Sequence, residues 1–160
     1  MRNRALECAA CLCLLLTWPL PAATWYVATN GNDGWSGTLP APAPAKQDGP
    51  FATLERAQQA VRASRASGSG SAVELRGGIH FLGKTLAFTP ADSGTSKAPV
   101  TYRSYAGERA VLSGGMRVTG WKKAGALWTV NLPAVGAGKL YFTSLFVNGE
   151  RRARARTPNE

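Results

Sequence analysis

The stretch that decides the fold runs from Val73 to Trp121 and reads VELRGG (73–78), IHFL (79–82), TLAFTP (85–90), VTYRSY (100–105), AVLSGG (110–115) and MRVTGW (116–121). In the first of these segments, Val73 and Leu75 alternate with Glu74 and Arg76, which is the period of a β-strand. Segments this short cannot bury an apolar face alone, so we expect them to stack on one another as coils of a solenoid. The stretch therefore predicts an all-β fold.

One segment on the N-terminal side of this stretch predicts a helix, from Phe51 to Ser64. Thr53 can cap its first turn, and four apolar residues recur on one face at helical spacing. These are Leu54, Ala57, Ala60 and Val61. Before the helix, Thr24–Thr29 predicts a strand, and the prolines of Leu39–Pro50 predict an extended loop. We therefore expect the region up to residue 71 to cap the first coils with a strand, a loop and a single helix.

Strand patterns continue on the C-terminal side, at Leu127–Asn131 and Tyr141–Val147. Asn148-Gly149 is the strongest hairpin signal in the chain, and it predicts that Arg151–Ala155 folds back antiparallel on the preceding strand. The expected organisation is thus an N-terminal cap over residues 24–71 and coils of a solenoid, truncated at the end of the chain, over residues 72–160.

The first 23 residues have the three-part pattern of a signal peptide. Arg2 and Arg4 precede an apolar run from Ala9 to Leu20, and Pro21-Ala22-Ala23 supplies small residues for cleavage. The apolar run is shorter than the roughly 20 residues that a membrane-spanning helix needs, so we expect no stable membrane anchor. The pattern predicts a secreted or periplasmic protein. All three cysteines lie in this segment, so the mature chain has no disulfide.

The chain is strongly basic, with a formal net charge of +10 at pH 7. Such a balance favours an anionic partner: an acidic polysaccharide, a membrane surface or nucleic acid. Nucleic acid is the weaker choice for an exported protein.

Three arginines near the C-terminus form a candidate ligand-binding row. On a strand, Arg152, Arg154 and Arg156 share one face at a spacing of about 6 to 7 Å, and guanidinium groups bind carboxylates with two parallel hydrogen bonds. The row could therefore hold an acidic glycan. The alternative, which the sequence favours, is a solvated edge strand whose charge prevents aggregation.

Other candidate sites have simpler explanations that the sequence favours. Asn30–Gly34 is dense in oxygen ligands but fits no EF-hand register, so it reads as a turn rather than a calcium site. His80 lies opposite Ile79 and Phe81 in the alternation, which predicts an outward-facing residue. The acidic residues lie in turns, on the helix surface or beside glycine, so no catalytic residue, metal or cofactor is assigned.

Four tryptophans of the mature chain leave two interpretations open. Their rings could stack on sugars, or they could close the end of a core, where aromatic rings bury large areas. We favour the core because three of the four lie within or beside predicted strands. They are Trp25, Trp35, Trp121 and Trp128.

Several long segments of the chain closely resemble secreted right-handed parallel β-helix proteins of the pectate-lyase-like superfamily. They are WYVATNGNDGWSGT (25–38), GPFATLERAQQAVR (49–62), VELRGGIHFL (73–82), TPADSGTSKAPVTYRSYAGERAVLSGG (89–115) and SLFVNGERRARARTPN (144–159). The resemblance covers nearly the whole mature chain and is strongest to large bacterial glycoside hydrolases of this fold.

The resemblance implies a right-handed parallel β-helix whose N-terminal mouth is capped by the early strand and helix. In such hydrolases the catalytic carboxylates lie in later coils, so it supplies no catalytic residue here. It implies an N-terminal fragment of a polysaccharide-degrading enzyme, inactive at this length and able to self-associate through an open end. The alternative is a non-catalytic module that binds acidic glycans, and a polysaccharide lyase is a third hypothesis.

Overall fold

The computed structural model describes residues 22–65 and 68–153. The signal-peptide pattern up to residue 21, the three cysteines, Arg154 and Arg156 lie outside the described residues. The described chain is mostly β, and it divides into two compact units between Met116 and Arg117.

Parallel strands in register form the main sheet of the first unit. β1 (Ala23–Val27) pairs with β2 (Ser71–Leu75), and β2 pairs with a later strand, Val100–Ser104. Residues at equivalent positions therefore form ladders across the sheet, such as Trp25, Val73 and the tyrosine at 102. Val73 and Leu75 are buried and Glu74 is half-buried, which confirms the alternation expected from the sequence.

A second parallel sheet follows the first along the chain. β2 is succeeded after a glycine bend by β3 (Gly78–Phe81), and β4 (Val100–Ser104) is succeeded by β5 (Ala110–Ser113). Since β2 pairs with β4 and β3 pairs with β5 in parallel, each stretch of chain contributes one strand to each sheet. This is the stacking that a solenoid requires. The predicted all-β class is confirmed at this level.

Two of the six predicted strand segments are not strands. Both TLAFTP (85–90) and MRVTGW (116–121) lack ladder partners. In the first, Leu86 packs against the core and the carbonyl of Ala87 accepts a hydrogen bond from the Gln58 amide at 2.8 Å. The segment is therefore held by the helix rather than by a sheet, which strand-like composition alone cannot distinguish.

The predicted helix forms as α1 (Leu54–Ser64), and its apolar stripe builds the core. Thr53 caps it by accepting a hydrogen bond from the backbone N–H of Arg56 at 3.2 Å. All four residues of the stripe are buried, together with Val27, Phe51, Val73 and Leu75. Phe51 is fully buried and lies so close to Gly37 that a Cβ there would stand 2.2 Å from its ring. The apolar stripe of the helix therefore packs against the first strands.

The second unit contains two antiparallel hairpins and a short helix. β6 (Lys122–Ala124) pairs with β7 (Leu127–Thr129), α2 (Pro133–Gly136) follows, and β8 (Leu145–Val147) pairs with β9 (Glu150–Arg152). The expectation of strands throughout, with a single helix in the chain, is therefore wrong at α2, where Pro133 starts a helical turn.

The Asn148-Gly149 hairpin is confirmed. Both turn residues have positive φ, 54° and 80°, as a two-residue turn of this type requires. Neither helix of the described residues is long and apolar enough to span a bilayer.

Candidate functional site

Asp33 occupies the candidate calcium segment Asn30–Gly34, and its carboxylate is used by the chain itself. It accepts hydrogen bonds from the backbone N–H groups of Ala52 and Thr53 at 2.8 and 2.9 Å and from the Thr53 hydroxyl at 2.7 Å. Its carbonyl accepts from Arg56 Nε. The acid therefore ties the turn to the start of α1, where a negative charge is favourable. Among residues 22–65 and 68–153, no cluster of three acidic, histidine or cysteine side chains could hold a metal.

A buried carboxylate lies at Asp92, in the 3₁₀ turn Pro90–Asp92. Arg62 on α1 donates to its two oxygens at 2.6 and 2.8 Å, and Thr89 donates to it through both its backbone N–H and its hydroxyl. The hydrogen bonds from Arg62 hold the pKa of Asp92 well below its usual range. The pair therefore holds the loop after β3 against the helix. From the sequence, Asp92 was expected only to lie in a turn.

A second ion pair fastens the bend between β2 and β3. Arg76 donates to both oxygens of Glu108 at 2.6 to 3.0 Å, donates to the carbonyl of Pro40 and stacks over the Tyr105 ring at 4.6 Å. Glu108 also accepts from the backbone N–H of Gly77. The hydrogen bonds from Arg76 lower the pKa of Glu108 to about 2. The carboxylate is thus ionised near neutral pH and is shared between Arg76 and the backbone of Gly77.

Two other described acids of the first unit, Glu74 and Asp48, also accept hydrogen bonds from neighbouring residues. Glu74 accepts from Arg103, its ladder partner on β4, and Asp48 accepts from Ser36 and Gly49. A general acid for sugar chemistry needs a raised pKa, whereas the hydrogen bonds from Ser36 lower that of Asp48. These carboxylates therefore hold strands and loops together by hydrogen bonds.

His80 faces inward, so the prediction of an outward-facing residue is wrong. It is buried, whereas Ile79 and Phe81 are 46% and 41% exposed. The alternation is correct but its phase is inverted, because the chain bends at Gly77-Gly78 and Gly78 has a φ of 127°. His80 Nε2 donates to the carbonyl of Arg76 at 2.8 Å, which satisfies the ring within the bend.

The tryptophans do not all close a core, as the favoured interpretation expected. Trp25 stacks on Phe51 with ring centroids 6.0 Å apart, and Trp35 packs against Gly49, where a Cβ would stand 2.6 Å from its ring. Trp25 therefore packs against the core of the first unit, as favoured, whereas Trp35 packs against a loop. Trp128 is 65% exposed on β7, so the same interpretation is wrong for this ring.

Of the predicted arginine row, the structure describes Arg152. It is exposed on β9, opposite Leu145, and it forms an ion pair with Glu150 at 3.1 Å. Arg154 and Arg156 lie outside the described residues, so the row itself stays a prediction.

Sequence reasoning also missed how the hairpins of the second unit pair their side chains. Trp128 lies directly across from Lys123, and Phe146 directly across from Arg151. All four side chains are exposed. The signal that could have revealed them is the hairpin register, which Asn148-Gly149 sets in the second case.

Comparisons with known proteins point to carbohydrate-active enzymes. No family model matches the chain. A curated relative, pectate lyase PEL9 of Emericella nidulans, is 34% identical over 93 residues, which cover 58% of this chain and 19% of the relative. A solved structure titled glycoside hydrolase shares 35% sequence identity with a TM-score of 0.71, covering 87% of this chain and 23% of that one.

The chain spans about a fifth of the length of either protein. At a TM-score of 0.71, its mainly β architecture resembles part of the glycoside hydrolase structure.

Proposed function

We propose that this chain forms the first coils of a right-handed parallel β-helix and serves as the scaffold of a secreted polysaccharide-degrading protein. The observation that carries the proposal is the pairing of β1 with β2 and β4, and of β3 with β5, which stacks successive segments in parallel register. The pectate lyase relative and the glycoside hydrolase structure support the same reading.

The chain alone is proposed to be catalytically inactive. Asp33, Glu74, Asp92 and Glu108 are each held by arginine or by backbone donors, and the pKa values of the last two are lowered. Glycoside hydrolysis needs a pair of carboxyl groups of which one holds a proton near neutral pH. Because their pKa values are lowered, Asp92 and Glu108 cannot supply that proton.

The test compares two products of polysaccharide cleavage. The purified 160-residue chain and a longer protein that carries the coding sequence beyond Glu160 are incubated with polygalacturonate and with neutral cell-wall glycans. Hydrolysis releases reducing ends alone, and lyase cleavage also creates unsaturated ends that absorb in the ultraviolet. We expect activity in the longer protein, with reducing ends alone. Cleavage by the 160-residue chain would contradict the scaffold role, and unsaturated ends would favour the lyase.

A second candidate function is a non-catalytic module that binds acidic glycans through Arg152, Arg154 and Arg156. The exposure of Arg152 on β9 and the basic net charge favour it. Retention of the chain on immobilised polygalacturonate should fall with salt and disappear when all three arginines become alanine. Retention unchanged in the triple variant would remove this candidate.

Secretion and self-association belong to the same proposal. Residues 1–23 fused to a reporter should direct its export, and a reporter left in the cytoplasm would contradict it. Among the described residues, β4 and β5 each have one edge without a strand partner, and such edges promote association. Sedimentation should therefore detect oligomers that increase with concentration, whereas a monomer at all concentrations would refute this.

A further inference from the structure

The second unit carries two exposed pairs of an aromatic ring and a cation. In an antiparallel hairpin, directly opposed residues project from the same face with Cβ atoms about 5 Å apart. The register therefore places Trp128 beside Lys123 and Phe146 beside Arg151. Trp128 and Phe146 are 65% and 61% exposed, so most of each ring is available to a partner.

Among the described residues, neither ring forms a cation–π contact with the cation opposite it. The cation–π contacts of the described residues are Arg56 on Phe51 and Arg76 on Tyr105, both in the first unit. Lys123 and Arg151 thus stand beside the hairpin rings without covering them. A flat ligand can stack on the ring while an anionic group on its edge reaches the cation.

The charge of the unit selects the kind of ligand. Between Arg117 and Ala153 the sequence holds six basic residues and one acidic residue, Glu150. Glu150 forms its ion pair with Arg152, and both project from the face of the hairpin opposite to that of Arg151. The acid therefore does not neutralise Arg151. The unit that carries both rings therefore has an excess of positive charge, which is complementary to an anionic chain.

We propose that the pairs Trp128–Lys123 and Phe146–Arg151 form a binding surface for acidic polysaccharide, each pair taking one uronic acid residue. The apolar C–H face of the sugar stacks on the ring, and its carboxylate accepts hydrogen bonds from the cation. This inference rests on the proposed function for its choice of polysaccharide over nucleic acid, whose bases also stack on aromatic rings. It is separate from the arginine row, because Arg151 and Arg152 project from opposite faces of β9.

The experiment measures the affinity of the full chain for polygalacturonate and for its methyl-esterified form, which has the same sugar rings without the charge. We expect Trp128→Ala to weaken binding to both polymers by about tenfold. Lys123→Gln should weaken binding to polygalacturonate alone, which reduces the preference for the charged polymer. Phe146→Ala and Arg151→Gln should repeat this pattern.

Two matched variants serve as controls. Lys97→Gln removes an exposed charge from the first unit, and Tyr141→Ala removes an exposed ring that lies outside both hairpins. Both should bind as the unchanged chain does. Equal losses in Lys97→Gln and Lys123→Gln would overturn the proposal in favour of net charge alone.

Three further outcomes would also overturn the proposal. They are unchanged binding in Trp128→Ala, tighter binding of a single-stranded oligonucleotide than of polygalacturonate, and loss of self-association in Trp128→Ala with glycan binding intact. Because this experiment measures binding and the test of the scaffold measures cleavage, either can fail without the other.

Discussion

Replacing Phe51 by alanine should destabilise the first unit more than any surface change of the same size. The ring is fully buried, stacks on Trp25 at 6.0 Å and lies under the Arg56 guanidinium at 4.6 Å. Deletion of a buried phenylalanine side chain costs about 3–5 kcal/mol. We expect the upper half of that range, because Trp25 and Arg56 lose their partner as well. The total stability of a small domain is about 5–15 kcal/mol.

The measurement is equilibrium unfolding in urea, followed by tryptophan fluorescence and by far-ultraviolet circular dichroism. Phe51→Leu should retain most of the buried volume and cost roughly 1–2 kcal/mol. The matched control is Phe142→Ala, since that ring is 45% exposed in the second unit. It should change the free energy of unfolding by less than about 0.5 kcal/mol.

Two results would refute this prediction: a loss of less than about 1 kcal/mol in the free energy of unfolding of Phe51→Ala, or an equal loss in Phe142→Ala. Either result would mean that the core is not organised around this ring. A change in the urea dependence without a shift in midpoint would instead indicate an altered unfolded state.

Three further substitutions test the hydrogen bonds and close contacts of the first unit. Asp33→Ala should lower the free energy of unfolding by about 2 kcal/mol in the same urea assay, because it removes the hydrogen bonds at the start of α1; an unchanged midpoint would contradict this. Glu108 has a lowered pKa, so its contribution to stability is complete above its ordinary pKa and is lost as the pH falls towards 2. Melting temperatures measured from pH 7 to pH 2 should therefore decrease less in Glu108→Gln than in the unchanged chain, and equal decreases would refute the assignment. Gly31→Ala should prevent folding, since its Cβ would stand 2.1 Å from the carbonyl oxygen of Phe51, whereas Gly83→Ala meets no atom within 4 Å and should melt normally.

The sequence predicted those features that depend on neighbours along the chain. The cap at Thr53, the apolar stripe of α1, the alternation of Val73 and Leu75, and the Asn148-Gly149 turn all follow from local periodicity and turn chemistry. Each of them is present in the structure.

Features that depend on register or on distant partners were not predicted. His80 shows the first case, since a period of two is the same in either phase and the bend at Gly78 decides which side is buried. Arg62 and Asp92 show the second, because they are 30 residues apart and meet only when the loop after β3 packs on the helix. Within the candidate binding surface, Trp128 could be found as an aromatic residue, but its partner Lys123 follows only from the hairpin pairing.

The two units of this chain use their charged residues differently. In the first unit, Glu74, Asp92 and Glu108 each form an ion pair with an arginine. These ion pairs join the strands, the loops and the helix to one another. In the second unit, cations outnumber acids, and two of them, Lys123 and Arg151, lie opposite exposed rings. Lys123 and Arg151 form no ion pair among the described residues, and exposed charges of one sign repel one another. Their placement is therefore better explained by a ligand that brings the missing negative charge.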